Sequence, residues 1–335
     1  MSEAKPEGSS PGPVLHVAPS PHIASPAQDT RGMMLDVLIG LAPVLVAAIY
    51  VFRVLAVVQV GLCVAACVAA ESIFSFVRWR RSTVGDLSAV VTGAILGLSL
   101  PATAPWYVPV IAGFAAIGIG KFAFGGLGQN IFNPAMVGRA FVMMSFALAM
   151  GASGYVAAQP LAGVDVITQA TPMTALRATP PAVAGLWNLF LGTTNGSVGE
   201  TSALACLLGG AYLCIRRTAS WEIPAGAIAA VAAIAGAIQL SGSSGQWTVL
   251  HELFGGALLF GAFFIATDPV TSPLTPKGKF IFGLLFGALV MLIRKLSNYP
   301  EGVMFAVLMT NAFVPLINRW TVPKPVGGRP ALAKT

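Results

Sequence analysis

The chain has 335 residues, 56% of them hydrophobic and 9% charged, with a mean hydropathy of +0.80. Soluble domains carry about 25% charged residues and need a polar surface, so this composition excludes a water-soluble catalytic domain. A net charge of +7 would suggest a nucleic-acid partner in a soluble protein. Here the basic residues lie mostly at the ends of apolar runs, so they indicate membrane topology and no nucleic acid is expected.

Long apolar runs, separated by Gly, Pro and charged residues, occupy most of the chain. A helix that crosses the hydrocarbon core needs about 20 mostly apolar residues, and the breakers between runs mark the helix ends. The pattern predicts an all-α polytopic membrane protein of about ten transmembrane helices, at 34–53, 55–77, 86–100, 107–122, 134–151, 199–215, 221–240, 251–267, 279–295 and 301–318.

The predicted helices divide the chain into two halves, with a loop between them and a tail at each end. The five segments are a flexible cytoplasmic N-terminal tail at 1–33, a first transmembrane half at 34–151, an external loop at 152–198, a second transmembrane half at 199–318 and a cytoplasmic tail at 319–335. Because each half has an odd number of helices, the second is inverted relative to the first. Short sequence similarities between 93–105 and 256–269 agree with such a repeat. Helices rich in Gly, Ala and Leu also resemble one another by chance. Inverted repeats often build a site near the membrane midplane from broken helices.

The basic residues are distributed unequally between the two sides of the predicted bundle. Ten crossings place both termini on one side, and only four of the 19 Lys and Arg residues fall on the other: Arg53, Arg177, Arg294 and Lys295. Because cytoplasmic loops carry the excess of Lys and Arg, both termini are expected in the cytoplasm. The 152–198 loop then faces the outer side, which in a bacterium is the periplasm.

Several acidic residues lie at or inside predicted helices, where a carboxylate is costly and marks a candidate for ion or proton handling. Near helix starts an acid also favours the helix dipole and caps free N–H groups, so we expect capping by Asp86, Glu200, Glu252 and Glu301. Glu71 is a further acid within an apolar run. Asp36 lies about one turn inside the first helix and Asp268 lies in an irregular segment, so these two are the candidates for an ion path.

The Gly-rich stretch 125–134 is the second candidate site. It places the side-chain amides of Asn130 and Asn133, together with bare backbone, at membrane depth. Such backbone has to be buried in protein or line a cavity. The two amides can donate to and accept from the edge of a planar heterocycle. Both could instead cap the helix that begins at Pro134.

A family resemblance spans nearly the whole chain. It rests on Ser20-Pro21-His22, Gly120-Lys121 with 124–130, Phe132-Asn133-Pro134-Ala135, 199–202, 266–273 and Glu301-Gly302. On these residues the chain resembles the D-type membrane subunits of the Rnf complex, the ferredoxin–NAD oxidoreductase that pumps ions. It is also similar to the B-type subunits of the sodium-pumping NADH–quinone reductase. The B-type subunits usually have a longer N-terminal region, so the short tail here favours the Rnf type.

The resemblance implies that the external loop carries a flavinylation motif. In this family an Asp precedes a Ser/Thr-Gly-Ala-Thr core, and the last Thr receives FMN through a phosphoester bond. The matching residues are Asp165, Thr168, Ala170 and Thr171, with Gln169 where the family usually has Gly. The implied cofactor is covalent FMN on Thr171, attached outside the cytoplasm by a flavin transferase.

The resemblance also implies a second, non-covalent flavin, riboflavin, within the helices, with Asn130 and Asn133 as its polar partners. The chain is then expected to pass electrons between the two membrane faces, coupled to translocation of Na⁺ or H⁺. Its implied partners are the other Rnf subunits, both membrane-embedded and those that bear iron–sulfur and flavin groups. The implied location is the inner membrane of a bacterium.

Two other interpretations remain open. A non-redox transporter or channel could share the inverted ten-helix plan, which resembles that of urea transporters, and small-residue helices suit a pore. A scaffold subunit that has lost its flavin sites is favoured only by Gln169. The stretch 165–171 distinguishes a channel from a redox subunit, because a channel does not need a flavinylation motif.

Overall fold

The computed structural model describes residues 29–80, 83–150, 156–157, 167–168, 185–192, 194, 196–200, 202–242, 247–297 and 302–323. Nearly all of the expected N-terminal tail and most of the expected external loop lie outside the described residues. The predicted site residues Asp165, Ala170 and Thr171 lie outside them as well, and so does Glu301.

The first part of the chain forms a series of helices joined by turns and, between residues 122 and 134, by a longer irregular segment. They are α1 (Thr30–Phe52), α2 (Val54–Trp79), a 3-10 turn (Val84–Asp86), α3 (Ser88–Ser99), α4 (Tyr107–Ile117) with a π-helical continuation (Gly118–Phe122), α5 (Pro134–Ser145) and the short α6 (Ala147–Met150). A two-stranded antiparallel pair follows, β1 (Val156–Ala157) with β2 (Ile167–Thr168).

The second part of the chain is again helical. It contains α7 (Leu186–Leu191), α8 (Ala203–Ile215), α9 (Glu222–Leu240), α10 (Val249–Phe254), α11 (Leu258–Phe260) with a π-helical continuation (Gly261–Ile265), α12 (Pro276–Leu296) and α13 (Val303–Thr321).

Four helices in the described part of the chain are long and apolar enough to cross a membrane: Thr30–Phe52, Val54–Arg78, Glu222–Leu240 and Val303–Thr321. Three shorter apolar helices accompany them: Ser88–Ser99, Tyr107–Phe122 and Ala203–Ile215. The helical fold is therefore consistent with a membrane protein. The expectation of ten crossings in two inverted halves stays a prediction.

Glycines set the distance between the parallel helices α9 and α12. A Cβ atom at Gly226 would lie 2.6 Å from the carbonyl oxygen of Phe280, and one at Gly283 would lie 2.3 Å from that of Ile223. Cβ atoms essentially never approach another heavy atom within 3.0 Å, so either substitution would require the backbones to shift. Small residues of this kind let helices approach closely in lipid, so backbone-to-backbone contact holds α9 against α12.

Two helices are interrupted next to each other in space. The π turn after α4 leads into the irregular segment 123–133, where Gly125 and Gly126 have φ of 123° and 110°. Only glycine adopts such values readily, and a Cβ at Gly125 would collide with the side chain of Gln129. The π turn after α11 leads into the second irregular segment, 266–275.

The continuous helix predicted at 251–267 is wrong, because the chain leaves the helix between α10 and α11. Gly255 is extended and Gly256 has a φ of 67°. The guanidinium of Arg294 donates to the carbonyl oxygens of Glu252 (2.7 Å) and Gly255 (2.9 Å). The break is therefore stabilised by a charged donor from α12 that satisfies the freed backbone.

Replacing Gly226 tests the close approach of α9 to α12. We expect Gly226→Ala to lower the free energy of unfolding by about 1–3 kcal/mol, because overpacking forces the two backbones apart. Gly236→Ala, in the same helix but with nothing within 4 Å of its Cβ position, is the matched control. It should be neutral or stabilising by up to roughly 1 kcal/mol. Thermal unfolding in detergent, followed by circular dichroism, measures both; equal effects would contradict the packing argument.

Candidate functional site

A cavity of about 90 Å³ lies where α1, α3 and α5 begin and where the π turns after α4 and α11 end. One water needs roughly 10–15 Å³ on this measure, so the cavity admits a larger ligand. Its apolar lining includes Met33, Val37, Val91, Ile95 and Phe264. Its polar lining includes Ser88, Lys121, Asn130, Thr267 and Asp268.

Asn133 joins the two irregular segments that border this cavity. Its side-chain oxygen accepts from the backbone N–H groups of Ala135 (3.0 Å) and Met136 (3.3 Å), which makes it the N-cap of α5. Its side-chain nitrogen donates to the carbonyl oxygen of Ile265 at 3.2 Å, at the end of the π turn after α11. One amide therefore caps a helix and connects it to the second interruption.

Asn311 of α13 makes a second connection between the same segments. With its amide oriented to satisfy both ends, the oxygen accepts from the backbone N–H of Asn133 (3.0 Å). The nitrogen of the same amide then donates to the carbonyl oxygen of Thr271 (3.3 Å). Asn311 is 1% exposed, so this buried amide fixes the relative position of the two segments.

Asn130 lines the cavity beside Asn133, as the sequence predicted for a pair of amides at one site. Its side-chain nitrogen donates to the carbonyl oxygen of Phe132 at 3.2 Å. The alternative that both amides cap the helix is confirmed for Asn133 alone, because Asn130 bonds within the loop.

Asp268 lies in the lining, within the irregular segment where the sequence placed it. One carboxylate oxygen accepts from the N–H of Val270 (3.2 Å), and the other accepts from the hydroxyl of Thr271 (3.0 Å). These bonds hold the turn that follows the π helix. The carboxylate therefore shapes the segment and also contributes a negative charge to the cavity lining.

Asp36, the other candidate for an ion path, lies next to the cavity rather than in its lining. Its carboxylate accepts from the hydroxyl of Tyr212 (3.2 Å), from the side chain of Arg216 (3.3 Å) and from the hydroxyl of Thr218 (2.9 Å). These contacts connect α1 to the end of α8. Thr218 itself lines the cavity, so Asp36 is one hydrogen bond away from it.

Of the four residues of the predicted flavinylation motif, the structure describes Thr168. Thr168 is the last residue of β2, where its backbone pairs in register with Val156. The other predicted residues, Asp165, Ala170 and Thr171, lie outside the described part of the chain.

A buried acid–base pair beside the cavity was not identified from the sequence. Glu71 of α2 is fully buried and Lys121 is 3% exposed. The ammonium of Lys121 donates to both carboxylate oxygens of Glu71 (2.7 and 2.8 Å) and to the hydroxyl of Ser88 (2.6 Å). The available signal was a lysine that follows Gly120 within an apolar run, because a lone charge there needs a partner.

Two further ion pairs correct the expectation of helix capping. Glu200 lies 3.0 Å from the guanidinium of Arg139, and Glu252 lies 3.2 Å from that of Arg294. Removing one partner of such a buried pair leaves a charge without compensation. The expected capping by Glu200 and Glu252 is therefore wrong. Glu200 pairs with Arg139 instead. Glu252 does lie in the first turn of α10, but its carboxylate pairs with both Arg294 and Lys295 (2.7 Å).

Hydroxyl and carboxylate groups take the capping positions. Ser202 accepts from the N–H of Ala205 at the start of α8, and Thr248 forms a capping box with His251 at the start of α10. Capping by Asp86 is confirmed, because its carboxylate accepts from the N–H (2.9 Å) and the hydroxyl (2.7 Å) of Ser88 at the start of α3.

Comparisons with known proteins agree on one family. The model of the NQR2, RnfD, RnfE family matches residues 16–327. The chain is 40% identical over 316 residues to the D component of the Na⁺-translocating ferredoxin:NAD⁺ oxidoreductase complex of Acetobacterium woodii, covering 93% of this chain and 95% of that protein. It is 39% identical over 328 residues to the D component of the proton-translocating ferredoxin:NAD⁺ oxidoreductase complex of Clostridium ljungdahlii, covering 94% and 97%. It is 35% identical over 343 residues to the D component of the ion-translocating oxidoreductase complex of Actinobacillus succinogenes, covering 92% and 96%.

Two substitutions at Asn133 separate its cap from its connection to Ile265. We expect Asn133→Ser to keep the cap and to lose about 0.5–1.5 kcal/mol of unfolding free energy, the usual net value of one hydrogen bond. Asn133→Ala should lose roughly a further 1 kcal/mol, because the cap is then lost as well. Thermal unfolding in detergent measures both. A Ser variant as stable as the wild type would show that the bond to Ile265 contributes nothing.

Proposed function

The chain belongs to the NQR2, RnfD, RnfE family, and on that premise we propose that it is the flavin-carrying membrane subunit of an ion-translocating ferredoxin:NAD⁺ oxidoreductase complex of the Rnf type. The observation that carries the proposal is similarity over more than nine-tenths of both chains to proteins named as the D component of such complexes. In this role the chain is one part of a redox-driven translocase, works with the other Rnf subunits, and does not catalyse the full reaction alone.

Covalent FMN on Thr171 is the first part of the proposed electron path. A phosphoester needs a hydroxyl, and the small side chain of Ala170 lets the segment enter the active site of a flavin transferase. Attachment through phosphate leaves the isoalloxazine ring free for redox chemistry. A tether also prevents loss of the cofactor on the outer side of the membrane, where the proposed loop lies.

The cavity is the proposed site of the second, non-covalent flavin, riboflavin. Pockets for such ligands are mostly apolar and contain a few placed polar groups. Val91, Ile95 and Phe264 offer contact area for a flat ring. The side-chain amides of Asn130 and Asn133, which also line the cavity, are the proposed polar partners at its edge. When bound, the flavin supplies electron-transfer chemistry, whereas the residues of the chain hold the ring in place and limit its access to water.

The proposed topology is ten crossings of a bacterial inner membrane in two inverted halves, with both termini cytoplasmic and the 152–198 loop periplasmic. The unequal distribution of Lys and Arg supports the orientation. The order of packed neighbours supports the repeat. In the first half α2 packs against α4 and α4 against α5, and in the second α9 packs against α12 and α12 against α13.

Asp268 and Asp36 are the proposed carboxylates of the ion path. A carboxylate in an apolar bundle interacts with either Na⁺ or H⁺, and two of the relatives described above are named for different ions at nearly equal identity. Sequence similarity therefore does not distinguish Na⁺ from H⁺ as the translocated ion. Asp268 is the stronger candidate, because it lines the cavity in which the second flavin is proposed.

Substitution of Thr171 tests the covalent flavin. After co-expression with a flavin transferase, the wild-type chain should fluoresce under ultraviolet light on a denaturing gel, and Thr171→Ala should be dark. Thr174→Ala, a hydroxyl removed three residues later, is the matched control and should stay fluorescent. Gln169→Gly restores the residue usual in the family and should fluoresce at least as strongly.

A dark wild-type band together with a fluorescent Gln169→Gly band would mean that Gln169 disables the motif. The non-redox transporter and the scaffold subunit would then be the better interpretations. A Thr171→Ala band that still fluoresces would place the attachment elsewhere in the chain.

Substitution of Asp268 tests the ion path. Asn keeps an oxygen that accepts from the N–H of Val270 but removes the charge. We therefore expect Asp268→Asn to abolish ion uptake by proteoliposomes that contain the whole complex, with both flavins retained. Asp29→Asn, at an exposed position that makes no side-chain cap bond, is the control. Unchanged uptake in Asp268→Asn would remove this residue from the path.

A further inference from the structure

A continuous chain of hydrogen bonds leads from the protein surface to the cavity. Thr83, which is partly exposed, donates its hydroxyl to a carboxylate oxygen of Glu71 at 2.8 Å. Glu71 accepts from Lys121, and Lys121 donates to Ser88. Lys121 and Ser88 line the cavity, whereas Glu71 lies behind them and is fully buried. Each link is 2.6–2.8 Å long, which is short enough for proton transfer along it.

The charges in this chain are balanced only while Glu71 is ionised. Both carboxylate oxygens of Glu71 face the ammonium of Lys121, so the pair presents little net charge to the cavity. If Glu71 binds a proton, the positive charge of Lys121 is no longer compensated. In a low-dielectric interior that charge strongly favours a negative charge placed in the cavity.

We propose that Glu71 is a redox-linked proton acceptor that balances an electron placed in the cavity. This inference rests on the proposed function, in which the cavity holds a flavin. The electron comes from a one-electron donor among the partner subunits of the complex. The proton comes from water at the surface near Thr83, an O–H bond forms on Glu71, and Lys121 compensates the added electron. When the electron leaves, Glu71 releases the proton by the same route.

Other titratable and charged groups lie near Glu71, but Lys121 is the group that places a positive charge next to its carboxylate. Cys67 lies one turn earlier on α2, and Asp86 is connected through the hydroxyl of Ser88. Arg78, two turns further along α2, donates to the carbonyl oxygen of Phe122. Among the described contacts of the Glu71 carboxylate, Lys121 supplies the positive charge. Asp268 contributes the opposite charge elsewhere in the lining.

The pair of Glu71 with Lys121 differs from two other described ion pairs in its position relative to the cavity. Arg139 with Glu200 and Arg294 with Glu252 are equally buried, but none of these four residues lines the cavity. A carboxylate that only stabilises the fold should keep its protonation state when the flavin is reduced. Glu200 is therefore the matched control for Glu71.

Infrared difference spectroscopy of the purified complex, reduced minus oxidised, tests the proposal. Reduction should produce the C=O band of a protonated carboxylic acid in the wild type. The band should be lost in Glu71→Gln and kept in Glu200→Gln. Thr83→Val interrupts the route but not the pair, so the band should reach full size more slowly. A redox titration should show a shallower dependence of the flavin midpoint potential on pH in Glu71→Gln.

The possible outcomes distinguish the proposed function from the proposal that Glu71 accepts a proton. A wild-type complex without non-covalent flavin would overturn the proposed function and this inference together. Bound flavin without a carboxylic acid band, or with a band that persists in Glu71→Gln, would overturn the inference alone. If Glu71→Gln does not assemble, Glu71→Asp replaces it. The band should then change frequency, and an unchanged band would exclude Glu71.

Discussion

The structure depends on one requirement: where a helix stops inside an apolar bundle, its free N–H and C=O groups need partners from the protein itself. Asn133 provides such a partner for the start of α5, and Asn311 holds the segment before α5 to the segment before α12. Asp268 accepts from a backbone N–H in the turn after the π helix that follows α11. Because these side chains satisfy backbone around an opening, they also decide its shape. The cavity is therefore a consequence of how the interruptions are satisfied.

Buried charges likewise have partners within the protein, and the ion pairs of Arg294 and Lys121 differ in what they stabilise. Arg294 uses its guanidinium on the carbonyls that the break between α10 and α11 exposes, while Glu252 balances its charge. Lys121 instead uses all three of its N–H groups on Glu71 and Ser88. The pair of Arg294 with Glu252 therefore holds backbone in place. The pair of Lys121 with Glu71 instead forms a unit of side chains beside the cavity. Burial alone does not make a pair functional; access to the cavity distinguishes this one.

Apolar runs and breakers located most helices within a few residues. The helix predicted at 221–240 is Glu222–Leu240 in the structure, because apolar length and flanking polar residues determine both ends. The helix predicted at 251–267 was wrong because the run stays apolar through Gly255 and Gly256, and periodicity does not show that the backbone turns there. The π turns were missed for the same reason. The pair of Glu71 with Lys121 joins residues 50 positions apart. Each is a charge within an apolar run that needs a partner, but a single sequence does not show that the two are partners of each other. Asn133 was identified as a polar residue at the site, but only its distances showed that it caps α5.

In the proposed role, the placement of Asp268 offers a physical basis for coupling electrons to ions. An electron on a group in the cavity and a cation at Asp268 would attract each other, and two unit charges about 4 Å apart interact by about 4 kcal/mol at an effective dielectric constant near 20. Such coupling is reciprocal, because a cation that favours reduction is itself bound more tightly after reduction. The cavity is bordered by α1, α3 and α5 on one side of the sequence and by α8 and the π turn after α11 on the other. A charge placed there therefore lies between segments from both parts of the chain. In the proposed architecture of two inverted halves, movement of one half relative to the other would expose the ion to opposite faces of the membrane.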